Sequence, residues 1–122
     1  MAHLFNYAGA PWLTQKWVRK VKAAYSDVTP YGGYRDDEDQ GQMGALGVLM
    51  AIGLFEVDGG CAEKPFYEIT SPLFDKVTIH LDNRYYPGKT FQIITVGNSA
   101  DNMYIQRASF NGKKWNKMLV LS

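Results

Sequence analysis

An unbroken run of four acidic residues at positions 36–39 (DDED) offers the clearest chemistry in this sequence. Like charges side by side raise the pKa of some of the carboxyl groups unless a cation or solvent relieves the repulsion. Alternate residues of an extended segment point to the same side, which would place Asp37 and Asp39 together and Glu38 opposite. Such a pair could act as a general base or as ligands of calcium. The run is also typical of a solvated loop that ends in one helix-capping aspartate, and the residues alone leave both interpretations open.

Three aromatic residues, Trp12, Tyr31 and Tyr34, flank the acidic run in sequence. Their rings could stack on a sugar or pack in a core or at its rim, and the sequence does not decide between these roles. The two histidines, His3 and His80, lack the spacing of metal ligands, so they predict ordinary structural or surface roles.

Two helices are predicted to position the acidic run. The first begins at Pro11, because proline suits the first helical position, where its missing N–H would have no intrahelical partner. Apolar residues recur at helical spacing between positions 13 and 25. The basic residues between them, Arg19 included, are predicted to form a solvated face.

The second helix is predicted to begin at about Gln40, directly after the acidic run. Asp39 would be its N-cap, and Gln42 would stand where a capping box needs it. Residues 43–54 are nearly all apolar, which predicts burial on every side, and Gly53 is suited to end the helix. The helix dipole favours ionised carboxylates at this end, and a general base must be ionised to work.

The second half of the chain predicts β-strands. Alternating residues indicate strands at positions 76–81, 90–96, 103–110 and 115–121, and Asn111-Gly112 is a strong hairpin signal. Connections this short favour an antiparallel sheet. The chain is therefore predicted to be an α+β protein and one compact unit, with a helical half (residues 1–57) that carries the acidic run and an antiparallel β half (residues 58–122).

Composition narrows the possible functions. A chain of 122 residues suits one domain, and thirteen Lys plus Arg against twelve Asp plus Glu leave a net charge of only +1. The lack of a basic excess argues against nucleic-acid binding. No apolar run approaches the roughly 20 residues of a membrane span, and the first residues lack the features of a secretory signal peptide. The single cysteine, Cys61, predicts neither an internal disulfide nor a cysteine-based zinc site.

Three separated motifs resemble glycoside hydrolase family 92, a family of calcium-dependent exo-α-mannosidases. They lie at residues 4–12 (LFNYAGAPW), 37–43 (DEDQGQM) and 71–79 (SPLFDKVTI). The similarity extends over essentially the whole chain and keeps the order of the family's motifs. One departure is the sequence Gly-Ala-Leu-Gly at positions 44–47, where many members have Ser-Ala-Trp-Tyr.

The resemblance implies roles for individual residues. Asp37 and Asp39 would be the general-base carboxylates of an inverting α-mannosidase of α-1,2 type, and Asp39 would also bind calcium. Trp12 and Gln40 would contact the α-mannoside glycan. The general acid would lie upstream of this chain, so that the chain alone would be inactive.

The resemblance also implies a place in a larger enzyme. The chain would form the C-terminal helices of an (α/α)6-type barrel and the small antiparallel β-sheet that follows them. The missing N-terminal portion would be the main partner, and full-length relatives would be periplasmic or secreted. A barrel fragment would expose apolar surface on its second helix, which predicts self-association.

Two alternatives to an enzyme fragment remain open from the sequence. The chain could be a free-standing module that binds carbohydrate or calcium without catalysis, or a structural module whose acidic loop is merely solvated.

Overall fold

The helical half of the chain contains one short 3-10 helix and two α-helices among the described residues. The computed structural model describes residues 2–25, 27–29, 33 and 40–121. The 3-10 helix spans Ala2–Asn6, α1 spans Pro11–Ala23 and α2 spans Gln42–Ile52. As predicted, Pro11 begins α1, and Gly53 ends α2 with a φ of 83°, a left-handed conformation that glycine adopts without strain. None of the helices in these ranges is long and apolar enough to cross a membrane.

Seven short strands form three separate antiparallel sheets within the described part of the chain. The strands are β1 (Leu54–Phe55), β2 (Phe66–Ile69), β3 (Lys76–His80), β4 (Thr90–Ile94), β5 (Ala108–Phe110), β6 (Lys113–Trp115) and β7 (Leu119–Leu121). One sheet has the order β1-β2-β7, while β3 pairs with β4 and β5 pairs with β6. The predicted hairpin turn joins β5 to β6, and both Asn111 and Gly112 have a positive φ.

The α+β class is confirmed, but the strands do not form the single sheet that was predicted. The predicted strand at 115–121 divides into β6 and β7, because β7 pairs with β2 rather than continuing the hairpin. Residues 54 and 55, predicted to be helical, form β1 and pair with Ile69 and Glu68. All of these differences arise from pairing between distant segments, which a local sequence pattern does not reveal.

The beginning of α2 also differs from the prediction. The helix starts at Gln42, two residues later than expected, and its N-cap is Gly41 with a φ of 74°. No side-chain hydrogen bond caps it. Asp39, the predicted N-cap, lies outside the described residues.

A small core forms where α1 and α2 meet the β1-β2-β7 sheet. Its buried apolar residues are Val18, Met50, Ala51, Leu54 and Val120. Polar residues of α1 share this interior, because Thr14 and Gln15 are buried and the Gln15 side-chain oxygen accepts a 2.9 Å hydrogen bond from the Ile105 N–H. The prediction that α2 is buried on every side is wrong, since Val48 is 61% exposed.

Candidate functional site

The acidic run that joins α1 to α2 lies outside the described residues. Asp37 and Asp39, the predicted base carboxylates, belong to it, and so does the calcium site predicted at Asp39. The structure describes what surrounds the run in sequence: the end of α1, residues 27–29 and 33, and residues 40–41 before α2.

Residues 27–29 belong to the segment that connects α1 to α2, and a hydrogen bond closes a turn there. The backbone N–H of Thr29 donates a 2.8 Å hydrogen bond to the Asp27 carboxylate, and this bond holds the pKa of Asp27 below its ordinary value. Gly33 has a φ of 86°, and a Cβ on it would lie only 3.1 Å from the Asp27 carbonyl oxygen. A side chain at position 33 would therefore be strained as well as crowded.

The predicted sugar-contacting residues are both open to solvent. Trp12 lies in the first turn of α1 with 54% of its surface exposed, and Gln40 is exposed two residues before α2 begins. Among the residues that the structure describes, no hydrogen bond or ring contact joins one to the other. Their roles in substrate binding stay predictions.

The two helices contact each other at the ends nearest the acidic run. The Tyr25 hydroxyl lies 3.9 Å from the sulfur of Met43, to which it donates a weak hydrogen bond. The same ring lies 3.5 Å from the position that a Cβ on Gly47 would occupy. Tyr25 lies two residues beyond the end of α1, and Met43 is in the first turn of α2. The connection between the two helices therefore begins and ends at neighbouring points.

Metal binding has no support in the described ranges, where no group of three or more His, Cys, Asp or Glu residues could hold an ion. Calcium takes six to eight oxygen ligands, with carboxylates prominent among them. The donors of this kind that lie together in the sequence are those at positions 36–39, outside these ranges.

The sequence prediction was wrong about Arg19, which does not belong to a solvated face. Its guanidinium donates hydrogen bonds to the carbonyl oxygens of Ser71, Pro72 and Ser99 and to the side-chain oxygens of Ser71 and Asn98. Burial lowers the pKa of Arg19 from its ordinary value. The spacing of residues on α1 could not reveal these partners, because they lie 52 to 80 positions away along the chain.

Two further contacts, a hydrogen bond and a ring stack, connect residues 2–7 to the β1-β2-β7 sheet. The Tyr7 hydroxyl donates a short hydrogen bond to the buried carboxylate of Glu68, and burial together with this bond raises the pKa of Tyr7. His3 stacks on Phe55 with ring centroids 3.9 Å apart, and burial lowers its pKa to about 4. These contacts give His3 the structural role that the sequence predicts.

An open depression of about 330 Å³ lies beside the start of α1. It is lined chiefly by Asn6, Tyr7, Pro11, Lys117, Met118 and Leu119. The charged residue in this lining is a lysine, and the lining includes no carboxylate. The depression therefore offers no pair of carboxyl groups of the kind that inverting glycoside hydrolysis uses.

Comparison with known proteins connects the whole chain to one family. A family model described as the glycosyl hydrolase family 92 catalytic domain matches residues 1–122. A curated protein of Arthroderma benhamiae, described as an uncharacterized secreted glycosidase, is 32% identical over 117 residues, which is 93% of this chain and 14% of that protein.

Solved structures give the same result. A family GH92 α-mannosidase of Bacteroides thetaiotaomicron is similar with a TM-score of 0.83 and 30% identity, and it has also been solved in complex with mannoimidazole. A family GH92 inverting mannosidase of the same organism has a TM-score of 0.80 and 37% identity. In each case the match covers 98% of this chain and 15% of the other. The chain thus spans about one seventh of the length of these relatives.

Proposed function

Because this chain belongs to glycoside hydrolase family 92, we propose that it is the part of a larger inverting α-mannosidase that supplies the general-base carboxylates. In inverting hydrolysis one carboxylate removes a proton from the attacking water, while a carboxylic acid on the opposite side protonates the departing glycosidic oxygen. Asp37 and Asp39 take the base role in this proposal. The acid belongs to a part of the enzyme outside this chain.

One observation carries the proposal: the acidic residues 37–39 (DED) lie just before the start of α2 in the sequence. The chain in which they lie matches the family model over all of its residues, 1–122. Asp39 precedes the first residue of α2 by three positions, and Tyr25 and Met43 hold the two ends of the connection near each other. The positive end of a helix dipole favours the ionised form of nearby carboxylates. Ionised carboxylates are the form that a general base requires.

Substrate and calcium belong to the same proposal. Trp12 would contact the terminal mannose through its exposed ring, and Gln40 would hydrogen-bond to it. Calcium, when bound, would supply positive charge beside the sugar, with Asp39 as one of its oxygen ligands. The preferred glycan in this proposal is α-1,2-linked mannose.

The rest of the enzyme would cover the surfaces that this chain leaves open. We place α1 and α2 among the C-terminal helices of an (α/α)6-type barrel, with the small sheets following them. A secreted or periplasmic location fits the curated relative, which is described as secreted.

The test uses a full-length chimera, in which this chain replaces the matching segment of the 37%-identical Bacteroides mannosidase. We expect the chimera to hydrolyse an aryl α-mannoside and an α-1,2-mannobiose with inversion, which NMR of the first-formed anomer reports. Asp37→Asn and Asp39→Asn should each lower kcat by at least about 100-fold, because general-base catalysis typically contributes that much. Chelation of calcium should abolish turnover, and readdition should restore it.

A matched control is Asp101→Asn, which removes an exposed carboxylate outside the acidic run. This variant should keep full activity. If both Asp37→Asn and Asp39→Asn also keep full activity in a folded chimera, the proposed base assignment is wrong. Substantial turnover by the 122-residue chain alone would contradict the placement of the acid outside it.

A further inference from the structure

Arg19 makes an unusually large number of contacts for a residue in the middle of a surface helix. Its Nε lies 3.1 Å from the Ser71 carbonyl oxygen and 3.0 Å from the Ser71 hydroxyl. Its two terminal nitrogens donate to Pro72, Asn98 and Ser99. The planar fork of a guanidinium can serve such divergent acceptors together, whereas the ammonium of a lysine is a compact point charge.

The partners of Arg19 in the described part of the chain are neutral: three carbonyl groups, a hydroxyl and an amide. Removing a cation from water without a carboxylate partner is costly, so these bonds must compensate for part of the lost hydration. The contacts also connect distant segments rather than neighbours on α1. Their arrangement is typical of a joint between elements rather than of a surface ion pair.

The segment that Arg19 holds is also bound to the end of α2. The N–H of Thr70 donates to the Gly53 carbonyl and the N–H of Leu73 donates to the Ala51 carbonyl, both at 2.9 Å. A continuous hydrogen-bonded path therefore runs from α1, through the Arg19 guanidinium and residues 70–73, to the C-terminal end of α2.

A second joint lies at the opposite end of α2, where the Tyr25 hydroxyl donates a weak hydrogen bond to the Met43 sulfur. Two joints along α2 restrict both its distance from α1 and its rotation relative to it. The residues between the helices, positions 26–41, begin and end at the elements that these joints hold.

We propose that Arg19 is a positioning residue for the base carboxylates: by joining α1 to residues 71–72 and thereby to α2, it sets the separation of the two helices between which Asp37 and Asp39 lie in the sequence. The inference rests on the proposed function. Small displacements of a catalytic group, of about 1 Å, can lower turnover on the order of 100-fold. Loss of the joint should therefore lower kcat while substrate binding, measured as KM, changes little.

The test compares Arg19→Lys with Lys20→Gln in the full-length chimera. Lys20 is the exposed neighbour on α1, and its ammonium lies over the Trp17 ring rather than in the joint. We expect Arg19→Lys to lower kcat at least about 10-fold with KM within about twofold, and Lys20→Gln to change neither. Lysine keeps the positive charge, so the loss would be due to the lost fork geometry.

The separation of the helices is measured independently of activity. Spin labels on cysteines introduced at the exposed positions Ala23 and Gln42, with Cys61 replaced by serine, report the distance across the ends of the connection by pulsed EPR. Arg19→Lys should shift or broaden this distance distribution, and Lys20→Gln should not. If Arg19→Lys prevents folding, Asn98→Ala removes a single acceptor of Arg19 and is judged by the same two criteria.

An unchanged label distance in the folded Arg19 or Asn98 variant overturns the inference, and so does a changed distance with unaltered kcat. Failure of the proposed function has a different signature. In that case Asp37→Asn and Asp39→Asn leave turnover intact, while the label distance still reports whether Arg19 holds the helices.

Discussion

Gly53 and Pro72 approach each other so closely that no side chain fits between them. A Cβ placed on Gly53 would lie 2.5 Å from Cγ and 2.9 Å from the nitrogen of Pro72. The contact brings the end of α2 onto the segment that Arg19 binds, so the joint between α1 and α2 depends on a glycine at this position.

Replacement of Gly53 by alanine is expected to destabilise the fold. The φ of 83° costs an L-residue about 1 kcal/mol, and the clash with the Pro72 ring adds the penalty of overpacking, so the free energy of unfolding should fall by about 2 kcal/mol or more. Urea denaturation followed by tryptophan fluorescence measures the loss.

Gly97→Ala is the matched control, because Gly97 has a φ of 70° with nothing within 4 Å of its Cβ position. It should cost only the conformational penalty, and equal losses in the two variants would show that the Pro72 contact contributes nothing.

Features with local causes were predictable from the sequence. Pro11 at the start of α1, Gly53 at the end of α2 and Asn111-Gly112 between β5 and β6 each act through their own backbone preferences. The site of β1 was not predictable, because Leu54 continues the apolar run of α2 beyond Gly53 and becomes a strand only through its pairing with Ile69.

The environment of the candidate site was less predictable for the same reason. Arg19 stands among lysines on α1, so its sequence neighbours indicate a solvated face, whereas its partners come from two separate loops, one between β2 and β3 and one between β4 and β5. Thr14 and Gln15 are polar yet buried, since the interior they face supplies backbone partners such as the Ile105 N–H. The assignment of Asp37 and Asp39 came from the family resemblance, because the chemistry of an acidic run alone fits a solvated loop equally.

His3 is expected to make stability depend on pH. Burial, assisted by the positive chain terminus, lowers its pKa in the folded protein from 6.5 to about 4. Between these values the unfolded chain binds more protons than the folded one, so the stabilisation is complete above about pH 6.5 and is lost as the pH falls towards 4. Urea denaturation at several pH values in this window measures the effect.

His3→Phe should flatten the pH dependence of stability while keeping an aromatic ring against Phe55. His80→Phe, at an exposed position, should leave the dependence unchanged, and an unaltered slope in His3→Phe would assign it to other groups.

The exposed side of α2 is expected to cause self-association of the isolated chain. Ala45 and Val48 are exposed and Leu49 and Ile52 are half-buried, and their spacing places them in one stripe along the helix. Contiguous apolar surface of this kind usually marks a contact with another element, which in a barrel would be a neighbouring helix.

Light scattering should therefore give a mass above that of one chain, and Val48→Glu should return it to the monomer value. Val96→Glu is the control, since Val96 is 97% exposed and follows β4 rather than belonging to α2; it should leave the association unchanged. A monodisperse monomer of the parent chain would instead indicate a module that is stable alone, contrary to its proposed place in a larger enzyme.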